Sequence, residues 1–307
     1  SQLFQGKVLE AVESCSRAVE LCEQDEDSTP DTDALGQALR QLGATQMLLD
    51  GAMDDAETSL LRAARLGSSG ADQGKGLSVL AAFNASTGDD HRIEEAVDLW
   101  NEARATTKAA VKGLGATSDS PDSVQAGGDI GNDSAAISLS HASVLCSAAQ
   151  GDLLLGRGTA KASEILTEAL KIRNKLLPPN HPATAWTLAL LGRCHVIAGE
   201  AVTAEGLLRA ALDGFKTVGG EEGSANSISN VAGRAPVAAG PLLFSSPLHP
   251  FSKANALRAF SELLMNWEKR ESEGGQVQRQ AEQVESSLRL KPPGRITMHM
   301  LHLDDMY

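Results

Sequence analysis

Between Asn180 and Val218 the chain carries a spacing that constrains it more than anything else in its sequence. Leu188, Leu191, Gly192 and His195 stand in L-x2-L-G-x2-H order, Gly199-Glu200 follow as a turn, and Ala204, Leu208 and Ala211 follow at A-x3-L-x2-A spacing. Residues three and four apart share one face of an α-helix, so each half has a single apolar stripe. Gly or Ala sits where the two helices must approach closely. The stretch reads as one helix-turn-helix unit, and such a unit buries its stripe only by stacking against neighbours of its own kind.

Further copies are therefore sought along the chain. Gly6, Ala11, Cys15 and Ala18 match the turn and second helix of an opening unit whose first helix is absent, which predicts that the sequence starts partway through a repeat. Leu39, Leu42 and Gly43, then Gly51, Ala56, Leu60 and Ala63, repeat the pattern with one extra residue in the turn. A third unit runs through Leu77, Leu80 and Ala81 to Gly88, then Ile93, Ala96, Trp100 and Ala103, with Asp89, Asp90 and His91 as a polar turn insertion. A fourth runs through Leu145, Ala149 and Leu153 to Gly156-Arg157-Gly158, then Ala162, Leu166 and Ala169.

Two stretches carry no such stripe. Residues 113–133 are rich in Gly, Ser and Asp and read as a flexible connector. Residues 219–251 are too rich in Gly, Pro and Ser for helix, and their Leu242, Leu243 and Phe244 are apolar enough to dock on the array or on a partner. The expected organisation is thus 1–112 for the opening repeats, 113–133 as connector, 134–218 for the central repeats, 219–251 as an irregular insertion, 252–291 as a closing helix pair, and 292–307 as a tail. Ser252 is expected to cap the first closing helix and Gly274-Gly275 to break it. The charged last helix suits a solvent-facing cap.

The quoted spacing resembles that of the tetratricopeptide repeat family, with Leu188 at the usual Trp and His195 at the usual aromatic. The loop ALKIRNKLLPPNHPATAW, with Leu177, His181, Pro182 and Thr184 in a Leu-x-x-x-His-Pro-x-Thr junction, is similar to the kinesin-light-chain variant of that family. In that junction Pro179 and Pro182 are expected to stop the preceding helix and Thr184 to help cap the next. The order of units resembles the layout of mitochondrial tetratricopeptide proteins of respiratory complex III assembly. The resemblance implies an all-α fold: helix-turn-helix repeats stacked in a right-handed superhelical solenoid with two long irregular insertions. It also implies that the first helices line a groove, which makes Gln37, Arg40, Lys75, Ser78, Trp186 and Arg193 the candidate partner contacts.

Composition narrows the function. Aromatic residues are only 3% of the 307, which suits closely approaching helices better than strands. Twenty-seven basic against 40 acidic residues give a net charge of −13, so direct nucleic-acid binding is not expected. Cys15, Cys22, Cys146 and Cys194 form no CxxC pair and read as reduced thiols of an intracellular protein. No stretch reaches the ~18 apolar residues of a membrane span. Nucleotide-binding, nucleophile-elbow and zincin motifs are lacking, and His299, His302, Asp304 and Asp305 sit on a tail without a framework to hold a metal. No catalytic residue, cofactor or metal is expected.

The sequence thus points to a non-catalytic scaffold or adaptor that binds other proteins as a subunit or assembly factor of a larger complex, with a mitochondrial setting suggested by the layout. The alternatives are a cytosolic kinesin-light-chain-like adaptor, or the recognition arm of an enzyme or regulator whose catalytic part lies upstream.

Overall fold

A computed structural model describes residues 8–24, 32–49, 51–67, 69–117, 130–178, 180–218 and 249–287. Among them every regular element is an α-helix: α1 (Val8–Gln24), α2 (Thr32–Gln46), α3 (Met53–Leu66), α4 (Gly70–Ser86), α5 (Asp90–Thr117), α6 (Ile130–Leu154), α7 (Thr159–Leu176), α8 (Pro182–Ile197), α9 (Ala201–Val218), α10 (His249–Met265) and α11 (Glu271–Ser287). They pack as hairpins α2–α3, α4–α5, α6–α7, α8–α9 and α10–α11, with α1 as a single second-type helix against α2. The even-numbered helices also touch one another in sequence, α2 to α4, α4 to α6, α6 to α8 and α8 to α10, forming a continuous row. The all-α repeat architecture is therefore present.

The small residues named by the spacing set the distance between helices. A Cβ on Gly43 would lie 2.5 Å from Leu60 Cγ, and one on Gly192 would lie 2.7 Å from Leu208 Cγ. No side chain fits at either place without pushing the hairpin open. Ala56, Leu60 and Ala63 of α3, Ala162, Leu166 and Ala169 of α7, and Ala204, Leu208 and Ala211 of α9 are all fully enclosed. The apolar clusters chain from one hairpin to the next: one joins α6, α7 and α8, and another joins α8, α9, α10 and α11. The core is accordingly a string through the stack, as expected when each unit can bury its stripe only on its neighbours.

Several boundaries differ from expectation, each for a local reason. Helix α5 continues to Thr117 and α6 already begins at Ile130, so both ends of the 113–133 stretch are helical. Helix α10 begins at His249, which places Ser252 inside it. Gly274-Gly275 do not break a helix but lie in the first turn of α11, and the break falls at 266–270, where Lys269 takes φ 70°. Gly274 is needed for proximity: a Cβ there would lie 2.7 Å from Met265 Cγ, and its carbonyl accepts the Ser261 hydroxyl at 2.9 Å. At the α7–α8 junction, Pro182 starts α8 and does not end α7. The cap is His181, whose Nδ1 accepts the Ala183 N–H at 3.2 Å, while Thr184 is buried within the helix. A proline lacks an N–H and is pre-set for the first helical position, which makes the His-Pro pair a start signal.

The first-helix face as a candidate interaction site

Counting from the small residue at which each hairpin closes (Gly43, Ala81, Ala149 and Gly192) puts the candidate contacts into register. Six residues earlier come Gln37, Lys75, Ser143 and Trp186; three earlier, Arg40, Ser78, Cys146 and Ala189; one later, Ala44, Ala82, Gln150 and Arg193. The structure separates these rows by exposure. In the first row Gln37 is exposed, and Lys75, Ser143 and Trp186 are half-buried. In the second row every side chain is buried, Arg40 and Ser78 included.

Arg40 is a structural tie between α2 and α4. Its Nη1 donates to the Asp72 carbonyl at 3.4 Å and its Nη2 lies 3.5 Å from Asp72 Oδ1, while its Nε has no partner. Lys75 Nζ lies 3.9 Å from the same carboxylate. Asp72 also accepts the Ser69 hydroxyl at 2.6 Å, and its N–H returns to Ser69 Oγ at 3.1 Å, capping α4. One carboxylate thus gathers a helix cap and two candidate cations, and this end of the face is closed around it.

The other end of the row is open. Arg193 of α8 faces α10 across an open hollow of about 460 Å³ lined by Asn255, Arg258, Glu262, Met265 and Asn266. Burial pulls its guanidinium below the usual arginine range, with Glu262 partly offsetting that pull. Among the described residues no carboxylate lies within ion-pair distance of it. Beside it two large apolar side chains stand in solvent, Ile197 at 54% and Met265 at 46% of their area. Trp186 packs from α8 between the two neighbouring core clusters, leaving part of its ring available. Arg258, also at the hollow, makes a two-point pair with Glu285 of α11, and that hydrogen bond raises its pKa above the usual arginine value.

Behind this face lies a residue that the sequence reading missed. Arg173 of α7 is 1% exposed and donates to the Ala183 carbonyl at 2.7 Å, to Thr187 Oγ1 at 2.7 Å and to Ser143 Oγ at 3.2 Å. It pins α6, α7 and α8 together, and Cys146 Sγ sits 3.7 Å from the same threonine hydroxyl. The available signal was register: Arg173 lies eleven residues after Ala162, where α5 has Thr107 and α9 has Phe215, both buried.

Burial raises the Cys194 thiol to about 11, so it is an unreactive core group. No cluster of three or more His, Cys, Asp or Glu able to hold a metal occurs among the described residues. No helix there is long and apolar enough to cross a membrane. Leu242, Leu243 and Phe244, and the tail histidines and aspartates, lie outside the described residues.

Residues 135–217, spanning α6 to α9, match the tetratricopeptide repeat model. Among solved structures the chain is similar to BtubC (BKLC) from P. vanneervenii, with a TM-score of 0.59, 14% identity and 94% of each chain covered. It is also similar to a kinesin light chain protein with nearly identical TPR-like repeats from Podosopora anserina, with a TM-score of 0.46, 15% identity, 85% of this chain and 96% of that chain covered. A third is the Assembly Chaperone of RpL4 (Acl4), residues 1–338, with a TM-score of 0.48, 15% identity, 94% of this chain and 92% of that chain covered. No curated protein sequence matches the chain. At these identities the likeness is one of fold.

Proposed function

We propose that this chain, whose residues 135–217 are tetratricopeptide repeats, is a non-catalytic scaffold that holds another protein against the α8–α10 end of its first-helix face. The observation that carries the reading is Arg193. Its guanidinium is partly desolvated, with Glu262 offsetting that only in part, and it shares the α8–α10 hollow with exposed Met265, while Ile197 stands exposed one turn further along α8. Arg, Met and Trp are enriched in protein interfaces, where a desolvated centre carries most of the binding energy. The closed α2–α4 end offers far less, because its cations are held by Asp72.

The finer reading is a subunit or assembly factor of a larger complex. The stacked architecture supports it, because side-by-side helices expose a long surface. The order of units supports a mitochondrial setting.

Quantitative affinity purification from native cells tests the reading with two variants of the full chain, Arg193→Glu/Ile197→Asp and Gln37→Glu/Lys75→Glu. The expected result is one protein set, recovered in fixed proportion, that is depleted at least tenfold by the first variant and kept by the second. Equal recovery with both variants would overturn it.

A further inference from the structure

Two kinds of polar group line the hollow between α8 and α10. Some are spent on α11 or within it: Arg258 pairs with Glu285, Gln278 Nε2 donates to Glu282 Oε1 at 3.0 Å, and the Ser261 hydroxyl donates to the Gly274 carbonyl at 2.9 Å. The others, Arg193, Asn255, Glu262 and Asn266, make no side-chain hydrogen bond or ion pair among the described residues.

Arg193 and Glu262 hold equivalent places, each directly after the small residue at which its hairpin closes, Gly192 and Ser261. They therefore stand level with one another on neighbouring first helices, and Glu262 is the foremost charge acting on Arg193. The hollow thus keeps a cation on its α8 wall and a carboxylate on its α10 wall. Asn255, Glu262 and Asn266 follow one another at intervals of seven and four, on one face of α10 and the residue just past its end. At ~1.5 Å per residue the hollow runs beside that helix for ~16 Å. A hollow of about 460 Å³ drawn out over that length is slimmer than an α-helix, which is ~10–12 Å across with its side chains. An extended chain, at ~3.3 Å per residue, covers it with about five residues.

We propose that the segment held here, on the docking reading given above, is an extended stretch of a partner protein in which an acidic residue stands directly beside a basic one, the acid on Arg193 and the base on Glu262. Adjacency follows from the pleat: successive side chains of an extended chain point to opposite sides, so a chain lying between walls of opposite charge sets one neighbour on each. Charge of both signs is needed, because Glu262 repels a lone carboxylate brought to Arg193. Asn255 and Asn266 flank the pair, and each amide offers both a donor and an acceptor to the main chain of the same segment. In residues 1–7, 25–31, 118–129, 219–248 and 288–307 no acidic residue adjoins a basic one, so those segments do not supply the pair.

The test pans a phage-displayed library of random nonapeptides against the full chain. Peptides with adjacent acidic and basic residues should be enriched at least tenfold, with one order of the two in excess. Arg193→Gln and Glu262→Gln should each weaken those peptides at least tenfold in fluorescence anisotropy. Panning on the charge-swapped chain, Arg193→Glu/Glu262→Arg, should enrich the pair in the opposite order, an inversion that a purely structural role for the two residues does not produce. An empty selection, or the same order on the swapped chain, would overturn the proposal. Peptides that require Arg193 and Ile197 but lack the pair would overturn it while leaving docking at the hollow intact, whereas peptides indifferent to Arg193, Ile197 and Glu262 alike would remove the docking site as well. Self-association of the chain that the same substitutions abolish would give the hollow to a second copy and overturn it too.

Discussion

Helices α2 and α8 close their hairpins in the same way and then diverge within one residue. Gly43 admits Leu60 as Gly192 admits Leu208, so the interiors are equivalent. The next residue is Ala44 on α2 and Arg193 on α8, and five residues past the glycines Leu48 is half-buried while Ile197 is exposed. Interior positions are fixed by volume, which every unit must satisfy, whereas face positions answer only to what lies opposite. The α2–α4 end has its own Asp72 opposite its cations, and the α8–α10 end has a hollow.

The largest effects should come from testing whether the interiors really are equivalent. Gly192→Leu and Gly43→Leu are each expected to cost about 3 kcal/mol by overpacking, seen as a lower melting temperature in calorimetry. Gly206→Leu, with nothing within 4 Å of the added Cβ, should be nearly silent. A cost at Gly192 without one at Gly43 would break the parallel between the two hairpins.

Next in size is a feature only the central units possess. Arg173→Met removes the donor to Ala183, Thr187 and Ser143 and should cost about 2 kcal/mol, because hydrogen bonds to a buried charge are the stronger kind. Limited proteolysis should then cut first between α7 and α8. A first cut elsewhere would remove Arg173 as the tie.

A smaller effect should appear where the two ends meet, at α5 and α6. Buried His141 makes a 2.7 Å contact through Nδ1 with Thr107 Oγ1. Burial lowers its pKa, Glu168 opposes that shift, and Lys108 and Arg104 reinforce it. Because the folded value lies below the unfolded value near 6.5, the unfolded chain binds the proton more readily. The stability that neutral His141 contributes is therefore complete above pH 6.5 and declines as pH falls toward the lower folded value. Stability in denaturation curves should fall as pH drops through that window, and His141→Gln should flatten the fall. Trp100, whose Nε1 donates to Ser147 at 3.2 Å across the same helix pair, gives a fluorescence readout of the junction.

Smallest in stability but sharpest for function is the comparison of faces. Arg193→Gln, which removes the charge without setting a second carboxylate against Glu262, should cost no more than about 1 kcal/mol of stability and still reduce partner binding at least tenfold. Lys75→Glu should do neither to that extent. Equal binding losses at the two positions would erase the asymmetry between the ends.

Much of this was legible before the structure, and the reason is periodicity. Gly43, Leu60, Gly192 and Leu208 could be paired on paper because a hairpin of α-helices repeats the same contact at the same offset. Arg40 and Ser78 were expected among the partner contacts of the first helices, and both are buried. Offset gives direction around a helix, while depth depends on how closely the next hairpin approaches. Gly274 was misread for a related reason: a glycine that permits contact and a glycine that ends a helix look alike in sequence. Pro182 was likewise read as a stop, with Thr184 as the following cap, when the bond from the Ala183 N–H to His181 makes His181-Pro182 a start.

The sequence by itself determined the repeat, its all-α class and the small residues that let helices touch, since these follow from local spacing and side-chain volume. Only the tertiary structure decided which polar groups are consumed internally, as at Arg40, Asp72 and Arg173, and which are left to face outward, as at Arg193. It also decided how deep each position of the first-helix face lies, burying Ser78 and leaving Gln37 exposed. Both are facts about what lies opposite a residue across space, and no offset along the chain encodes them.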